Sequence, residues 1–452
     1  MSGTLKHAHG QWRSRIGFLL AATGSAIGLG NIWKFPYMTG TNGGSAFVLT
    51  YLLCIALVGF PLLVAEWLIG RRGQKNPMLA IEDVAKQNNQ TKAWGIVGLV
   101  AIIAGFLVLS FYSVIGGWAI DYIFITLKGT FSGMSGDDTD KVFTDFLANP
   151  KSLLLWHTVF MALTIGIIAM GVSSGIERAS KIMMPGLAII LLIMLVYVIF
   201  STDTFGKGVS FLFAPDWSKI NGQSVLAALG HAFFTLSLGM GIMFSYGSYL
   251  GKEINLLKTA RSVIILDTIF ALAAGLVIFP LVFANNLKLD SGPGLLFVTL
   301  PIAFGNMSGG IIIGALFFIL VTFAALTSAI SLLEPTVEFL EEKTPLNRQV
   351  AAVVGGVAVW LLGIACLLSF NEWDKFLIFG NNIFSFLDKI TSKFMMPLGG
   401  LATLIFLGWF VKQQGVLSEL NLSDTAAQIW SIVLRFVAPI GIIVIFIASL
   451  LS

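Results

Sequence analysis

Charge is what this chain has least of. Of its 452 residues, 11% are charged and 56% hydrophobic, and the mean hydropathy is +0.90. Soluble domains carry about 25% charged residues. A soluble fold with this balance would expose more apolar surface than water tolerates, so a water-soluble globular protein is excluded. Cysteine is nearly absent. Cys54 and Cys366 both fall within apolar stretches, which excludes a disulfide framework. No phosphate-cradling Gly-x-x-x-x-Gly-Lys-Ser/Thr loop occurs, and no segment reads as a soluble catalytic or nucleotide-binding domain. A cleavable signal peptide is not expected, because the first apolar stretch is too long and lacks a small-residue cleavage site.

Long apolar runs are what the chain does have. Crossing hydrocarbon takes about 20 apolar residues, and eleven stretches qualify: 14–38, 46–70, 93–127, 153–172, 181–201, 223–250, 257–286, 306–340, 349–369, 377–411 and 427–450. The expected class is an all-α polytopic membrane protein. Lys and Arg set its orientation. Arg13, Arg15, Arg71, Arg72, Lys75, Lys86, Arg178, Lys181, Lys258, Arg261 and Arg348 gather on the side of the N-terminus, whereas loop 128–152 carries Asp137, Asp138, Asp140 and Asp145. This predicts a cytoplasmic N-terminus, an external C-terminus and residence in the cytoplasmic (inner) cell membrane. The net charge of +4 is then a topology signal, and no nucleic-acid partner is expected.

Spans 1–5 (residues 12–201) and 6–10 (223–411) form two five-helix units within one transporter domain, with span 11 (427–450) outside them. Five is odd, so the second unit enters the membrane in the opposite sense, giving inverted-topology repeats. The first span of each unit is broken by glycine: Gly24-Ser-Ala-Ile-Gly-Leu-Gly-Asn31 and Ser237-Leu-Gly-Met-Gly241. Glycine costs a helix about 1 kcal/mol relative to alanine, and unpaired polar groups in hydrocarbon cost several. Matching breaks in two halves point to a secondary transporter's binding site, with helices 1 and 6 unwound at mid-membrane. Freed carbonyls suit an alkali cation and exposed amides suit a carboxylate. Close helix packing by small residues is the alternative reading of a single such segment.

Other polar residues in apolar runs add to this. Ala324, Thr327 and Ser328 share a helix face by their i, i+3, i+4 spacing; two hydroxyls and a carbonyl there can complete a sodium site, or simply bond their own helix. Asp267 stands in Val263-Ile-Ile-Leu-Asp-Thr-Ile-Phe270, where a carboxylate costs at least about 2.5 kcal/mol unless protonated or paired with a cation. Glu66 reads either as a carboxylate for a cation, like Asp267, or as the partner of an ion pair with the nearby Arg71 and Arg72. His231 reads as a hydrogen-bonded structural residue or a titrating one. Tyr112 needs a partner for its hydroxyl.

Trp12, Gly24-Ser-Ala-Ile-Gly-Leu-Gly-Asn-Ile-Trp-Lys-Phe-Pro36 and Asn42-Gly-Gly44 resemble the signature of the neurotransmitter:sodium symporter family. So do Phe233-Phe-Thr-Leu-Ser-Leu-Gly-Met-Gly241, Tyr246-Gly-Ser-Tyr249 and Leu326-Thr-Ser328. The match runs nearly end to end and looks like the bacterial hydrophobic amino-acid transporter branch. The resemblance implies two sodium ions and no organic cofactor. One ion takes Ala26, Asn31, Thr235, Asp267 and the substrate carboxylate; the other takes Gly24, Ile27, Ala324, Thr327 and Ser328. It implies a substrate carboxylate on the amides of Leu29 and Gly30 and the hydroxyl of Tyr112, and an amino group on Ala26, Phe234, Thr235 and Ser237. Val108, Phe234, Met240, Ser328 and Leu332 then line the side-chain pocket. Such a site takes a zwitterion with a hydrophobic side chain, imported by alternating access.

Three positions depart from the family pattern. Asp267 supplies a fixed negative charge where chloride-dependent members have a neutral ligand, which implies chloride independence. Met240 replaces a phenylalanine and, being flexible, implies tolerance of aliphatic and aromatic substrates alike. The outer gate carries Lys34 in place of arginine, with Asp388 or Asp374 as its acid; lysine offers a point charge and not a fork. The inner gate pairs His9, with Lys6 as a substitute, with Glu342, beside Trp12 and Tyr249. The expected assembly in the bilayer is a monomer or weak homodimer.

Overall fold

The computed structural model describes residues 11–287 and 294–451, which are almost entirely helical. Among them nine helices are long and apolar enough to cross a membrane: Ser45–Gly73, Lys92–Leu127, Pro150–Ala169, Val172–Ser201, Leu256–Ala284, Gly310–Lys343, Arg348–Leu368, Ile383–Phe410 and Asp424–Ala448. Arg15–Ala26 and Gly30–Thr41 form a further pair, bent by 47° at the break between them. Gly222–Thr235 and Ile242–Ser248 flank the second glycine break. Each is shorter than the ~20 residues that cross hydrocarbon.

Two expected boundaries move, for visible reasons. The fifth span starts at Val172 and not at 181, because a π turn (Val172–Ile176) runs straight into Glu177–Ser201. The charges that read as loop are absorbed by tertiary partners: Glu177 accepts from Lys181 Nζ (2.6 Å), Ser14 Oγ (3.0 Å) and the Arg13 amide (2.8 Å). The tenth span starts at Ile383 and not at 377. An antiparallel bridge between Ile378 and Asn381 closes a turn there, and Asn382 caps the helix by accepting from the Ser385 amide at 2.8 Å. The stretches read as outer loops carry short helices, Gly136–Leu147, Phe205–Phe213 and Leu300–Gly305. In the first of these a capping box with Ser135 holds the exposed Asp138 carboxyl below the usual range through hydrogen bonds to its charged form.

Small residues bring the breaks to the centre. Every residue from 21 to 32 and from 235 to 250 is buried, whereas the last helix keeps much of its apolar surface exposed. Gly310–Lys343 packs along Lys92–Leu127 and also touches the first helix. Gly70 lets Phe60–Gly73 and Ile242–Ser248 meet at backbone distance: a Cβ there would fall 2.0 Å from the Phe244 carbonyl oxygen.

Candidate site at the two helix breaks

The first helix loses its hydrogen-bond ladder because two amides find other acceptors. Ile27 turns extended (φ −77°, ψ 96°). The Gly28 amide then donates to Asn31 Oδ1 at 3.2 Å, and the Leu29 amide donates to the Tyr112 hydroxyl at 3.3 Å. In a regular helix these two amides would serve the carbonyls of Gly24 and Ser25. Ser25 O accepts instead from the hydroxyls of Ser237 (2.9 Å) and Ser328 (3.2 Å), which ties the first break to the second and to the eighth expected span. The helix resumes at Gly30 as a π turn.

The second break runs through three left-handed residues, Ser237 (φ 55°), Gly239 (φ 73°) and Gly241 (φ 79°). Two are glycines, which adopt this conformation without strain. Ser237 is not, and its bond to Ser25 O holds it there. The Gly239 amide donates to Glu66 Oε1 at 2.9 Å. The ion pair of Glu66 with Arg71 and Arg72 does not form: both arginines reach Glu419, Arg71 Nε and Arg72 Nε donating at 2.9 and 2.6 Å. An unwound amide claims the buried carboxylate, while the separate helix Gln413–Leu420 supplies the arginines with Glu419.

Between the breaks lies a small cavity of about 20 Å³, lined by Ser25, Ala26, Gly28, Leu29, Gly30, Val108, Tyr112, Phe234, Ser237, Met240, Ser328 and Leu332. Ten of the eleven positions expected to meet substrate are in this lining. Thr235 is the exception: its hydroxyl turns to the carboxylate of Asp267, at 3.1 and 3.2 Å. Ser25 and Gly28 belong to the lining although neither was expected to meet substrate. Their signal was local, since both sit inside the break itself. The lining mixes backbone of the broken segments and the hydroxyl residues Tyr112, Ser237 and Ser328 with the apolar side chains of Val108, Met240 and Leu332.

Asp267, fully buried, collects a shell of neutral groups. Asn31 Nδ2 donates to its Oδ1 at 2.7 Å and to its main-chain oxygen at 3.1 Å, and the Tyr51 hydroxyl donates to Oδ2 at 3.4 Å. Its hydrogen-bond partners among the described residues are all neutral. Nearby, Gly24 brings the first helix against the eighth expected span; a Cβ there would sit 3.4 Å from Thr327 Cβ. Thr327 Oγ1 donates to Phe323 O (3.1 Å) and Ala324 O (3.0 Å). These hydroxyl oxygens keep lone pairs for a hard cation. Gly24 of the first helix thus lies against Thr327, on the helix that also carries Ala324 and Ser328.

Aromatic lids stand at both ends. Lys34 Nζ lies 4.0 Å over the Phe234 ring, a cation–π contact that caps the cavity. Asp388 is the carboxylate whose charge reaches Lys34. At the opposite end Trp12 packs edge-on to Tyr246 and Tyr249 and donates from Nε1 to Tyr246 O at 3.2 Å. Glu342 accepts from the Asn76 amide (3.1 Å) and Nδ2 (2.5 Å), holding the N-cap of Pro77–Gln87. His9 and Lys6 lie outside the described residues. His231 stacks on Tyr51 and Phe35, with ring centroids 5.0 and 6.0 Å away. The expected hydrogen-bonded role is not seen, since neither ring nitrogen has a protein partner.

An ion pair that sequence reasoning missed closes this end. Glu334, fully buried, accepts from Tyr249 Oη (2.6 Å) and from Arg348 Nη2 (2.5 Å). Its signal was a carboxylate at the end of the apolar run 310–333, four residues before Glu338. Removing one partner of a buried pair costs about 3–5 kcal/mol. Arg348→Ala should therefore lower the thermal midpoint of the purified protein well beyond Arg348→Lys, which keeps the charge; equal midpoints would remove this pair from the stabilising contacts.

Residues 9–139 and 146–452 match the model of the sodium:neurotransmitter symporter family. The chain is similar to the uncharacterised sodium-dependent transporter YhdH of Bacillus subtilis (strain 168), at 40% identity over 440 residues and 96% of each chain. It is also similar to an uncharacterised sodium-dependent transporter of Haemophilus influenzae, at 36% identity over 448 residues, 97% of this chain and 98% of the other. Among solved structures it is similar to MhsT in complex with L-phenylalanine, with a TM-score of 0.89 and 45% identity over 98% of this chain and 100% of that one.

Proposed function

Since the chain belongs to the sodium:neurotransmitter symporter family, whose members are transporters and not enzymes, we propose that it imports hydrophobic L-amino acids, aliphatic and aromatic, together with sodium and without chloride. The observation that carries this reading is the cavity between the breaks, lined both by unwound backbone and hydroxyl residues (Leu29, Gly30, Tyr112, Ser237, Ser328) and by apolar side chains (Val108, Met240, Leu332). A zwitterion's carboxylate meets the amides of Leu29 and Gly30 and the Tyr112 hydroxyl, and its side chain lies against Val108, Met240 and Leu332. The L-phenylalanine bound to MhsT supports this class of substrate.

One sodium ion sits at Asp267 with Asn31, Thr235 and the carbonyl of Ala26, sharing the substrate carboxylate. The other sits among the carbonyls of Gly24, Ile27 and Ala324 and the hydroxyls of Thr327 and Ser328. Fixed negative charge at Asp267 balances the first ion, so no anion has to travel with it. The two five-helix units, 12–201 and 223–411, are inverted repeats with helix 427–450 beside them, eleven spans in all. Alternating access follows when a bundle carrying the breaks rocks between the Lys34–Phe234 lid and the Trp12–Tyr249 end. The N-terminus lies in the cytoplasm and the protein acts in the inner cell membrane as a monomer or weak homodimer. Two charges moving down the membrane potential supply about 4.6 kcal/mol per 100 mV, enough for roughly thousandfold accumulation.

The test is uptake into proteoliposomes. Transport of labelled phenylalanine should saturate, require sodium and be unchanged when gluconate replaces chloride. Unlabelled leucine and tryptophan should both compete, because Met240 adapts to either shape. Strict selectivity for one small amino acid would refute the substrate class, and sodium flux without saturable uptake would favour a channel.

A further inference from the structure

Among the described residues, a large open groove lies between Ser45–Gly73, Leu256–Ala284 and Asp424–Ala448. Its walls are apolar, Ile55, Phe60, Ile265 and Trp430 among them, but Lys258 and Arg261 line it as well. These two basic residues are three apart on one helix and so share a face. Both side chains are exposed. The neighbouring pair Arg71 and Arg72 is neutralised by Glu419, whereas no ion pair joins Lys258 or Arg261 to any described carboxylate. Ile265, one turn further along the helix from Arg261, is 45% exposed, and Ile429 across the groove is 58% exposed. The groove thus combines unneutralised positive charge with a long unfilled apolar trough.

We infer that this groove binds an anionic phospholipid, its phosphate held by Lys258 and Arg261 and its acyl chains lying against Ile265, Phe60 and Trp430. Charge complementarity selects the occupant. A zwitterionic lipid would fill the trough but bring its own cation to two ammonium and guanidinium groups already in excess. A sterol would leave both unpaired. Basic pockets between membrane helices take acidic headgroups for this reason. None of the residues lining this groove lines the central cavity, and its occupancy does not depend on the transport reading.

The experiment measures the thermal midpoint of the purified full chain in detergent, without substrate, against added phosphatidylglycerol, phosphatidylcholine or inorganic phosphate. Phosphatidylglycerol should raise the midpoint in a saturable way, and phosphatidylcholine and phosphate should not. The double variant Lys258→Ala/Arg261→Ala should shift half-saturation by roughly thirtyfold, from two basic contacts, whereas Lys258→Arg/Arg261→Lys should respond as the parent does. Ile265→Trp, which fills the trough and leaves the charges, should also weaken the response. Equal effects of the two lipids, a response to phosphate alone, or an undiminished response in the double alanine variant would overturn the proposal.

Discussion

Asp267→Leu should abolish sodium-dependent uptake while leaving a folded protein. Asp267 is fully buried and holds Asn31, Thr235 and Tyr51 through five side-chain and main-chain contacts of 2.7 to 3.4 Å to its oxygens. Leucine removes the negative charge but is apolar and of similar size, so the packing cost is modest. What disappears is the counter-charge for the ion. A buried cation with no anionic partner is unfavourable by several kcal/mol, which corresponds to a loss of three or more orders of magnitude in sodium affinity. The informative companion is Asp267→Asn, which keeps the shape and one accepting oxygen but not the charge. If the carboxylate's charge balances sodium, uptake by this variant should come to require chloride, which can supply the missing charge from outside. Uptake by Asp267→Asn that stays insensitive to chloride and equal to the parent would remove charge balance from the mechanism. Intrinsic fluorescence melting of both variants separates this outcome from misfolding.

Gly28→Val should weaken substrate binding by about a hundredfold. At this position a Cβ would fall 2.4 Å from Ser328 Oγ and 3.0 Å from the Tyr112 hydroxyl. Both oxygens do structural and functional work at once: Ser328 donates to Ser25 O, and Tyr112 accepts from the Leu29 amide. A valine side chain must push one or both aside and enter the cavity that Gly28 lines. Overpacking of this kind costs about 1–3 kcal/mol, and here the displaced groups are the ones that meet the ligand. Gly166→Val supplies the contrast, since nothing lies within 4 Å of a Cβ built there. Scintillation-proximity binding of labelled phenylalanine in sodium should show the loss at Gly28 and parent affinity at Gly166. Parent affinity in both would mean that the first break does not meet the substrate.

Much of this was written in composition and in misplaced residue types. Apolar runs of the length of a bilayer appear wherever the spans are, because only helices satisfy every backbone group without water. Glycine and asparagine inside such a run marked both breaks. Asp267 announced itself by its cost. Boundaries failed where tertiary partners overrode local polarity: Glu177 and Lys181 looked like loop until Ser14 and the Arg13 amide were brought against them. The ion-pair reading of Glu66 failed for the same reason. Its neighbours in sequence are Arg71 and Arg72, but its neighbour in space is the freed amide of Gly239.

By itself, then, the sequence determined that the chain spans a membrane, where its helices break and which residue types are too polar to be there without a ligand. Those are local statements, governed by hydropathy and backbone propensity over a few turns. Tertiary structure alone decided that Ser25 O receives hydroxyls from residues 212 and 303 positions away. It also decided that Thr235 faces Asp267 and not the cavity, and that Glu334 is neutralised by Arg348. Hydrogen bonds of an unwound segment can be made only by whichever distant groups the packing delivers, and no periodicity along the chain encodes which those are.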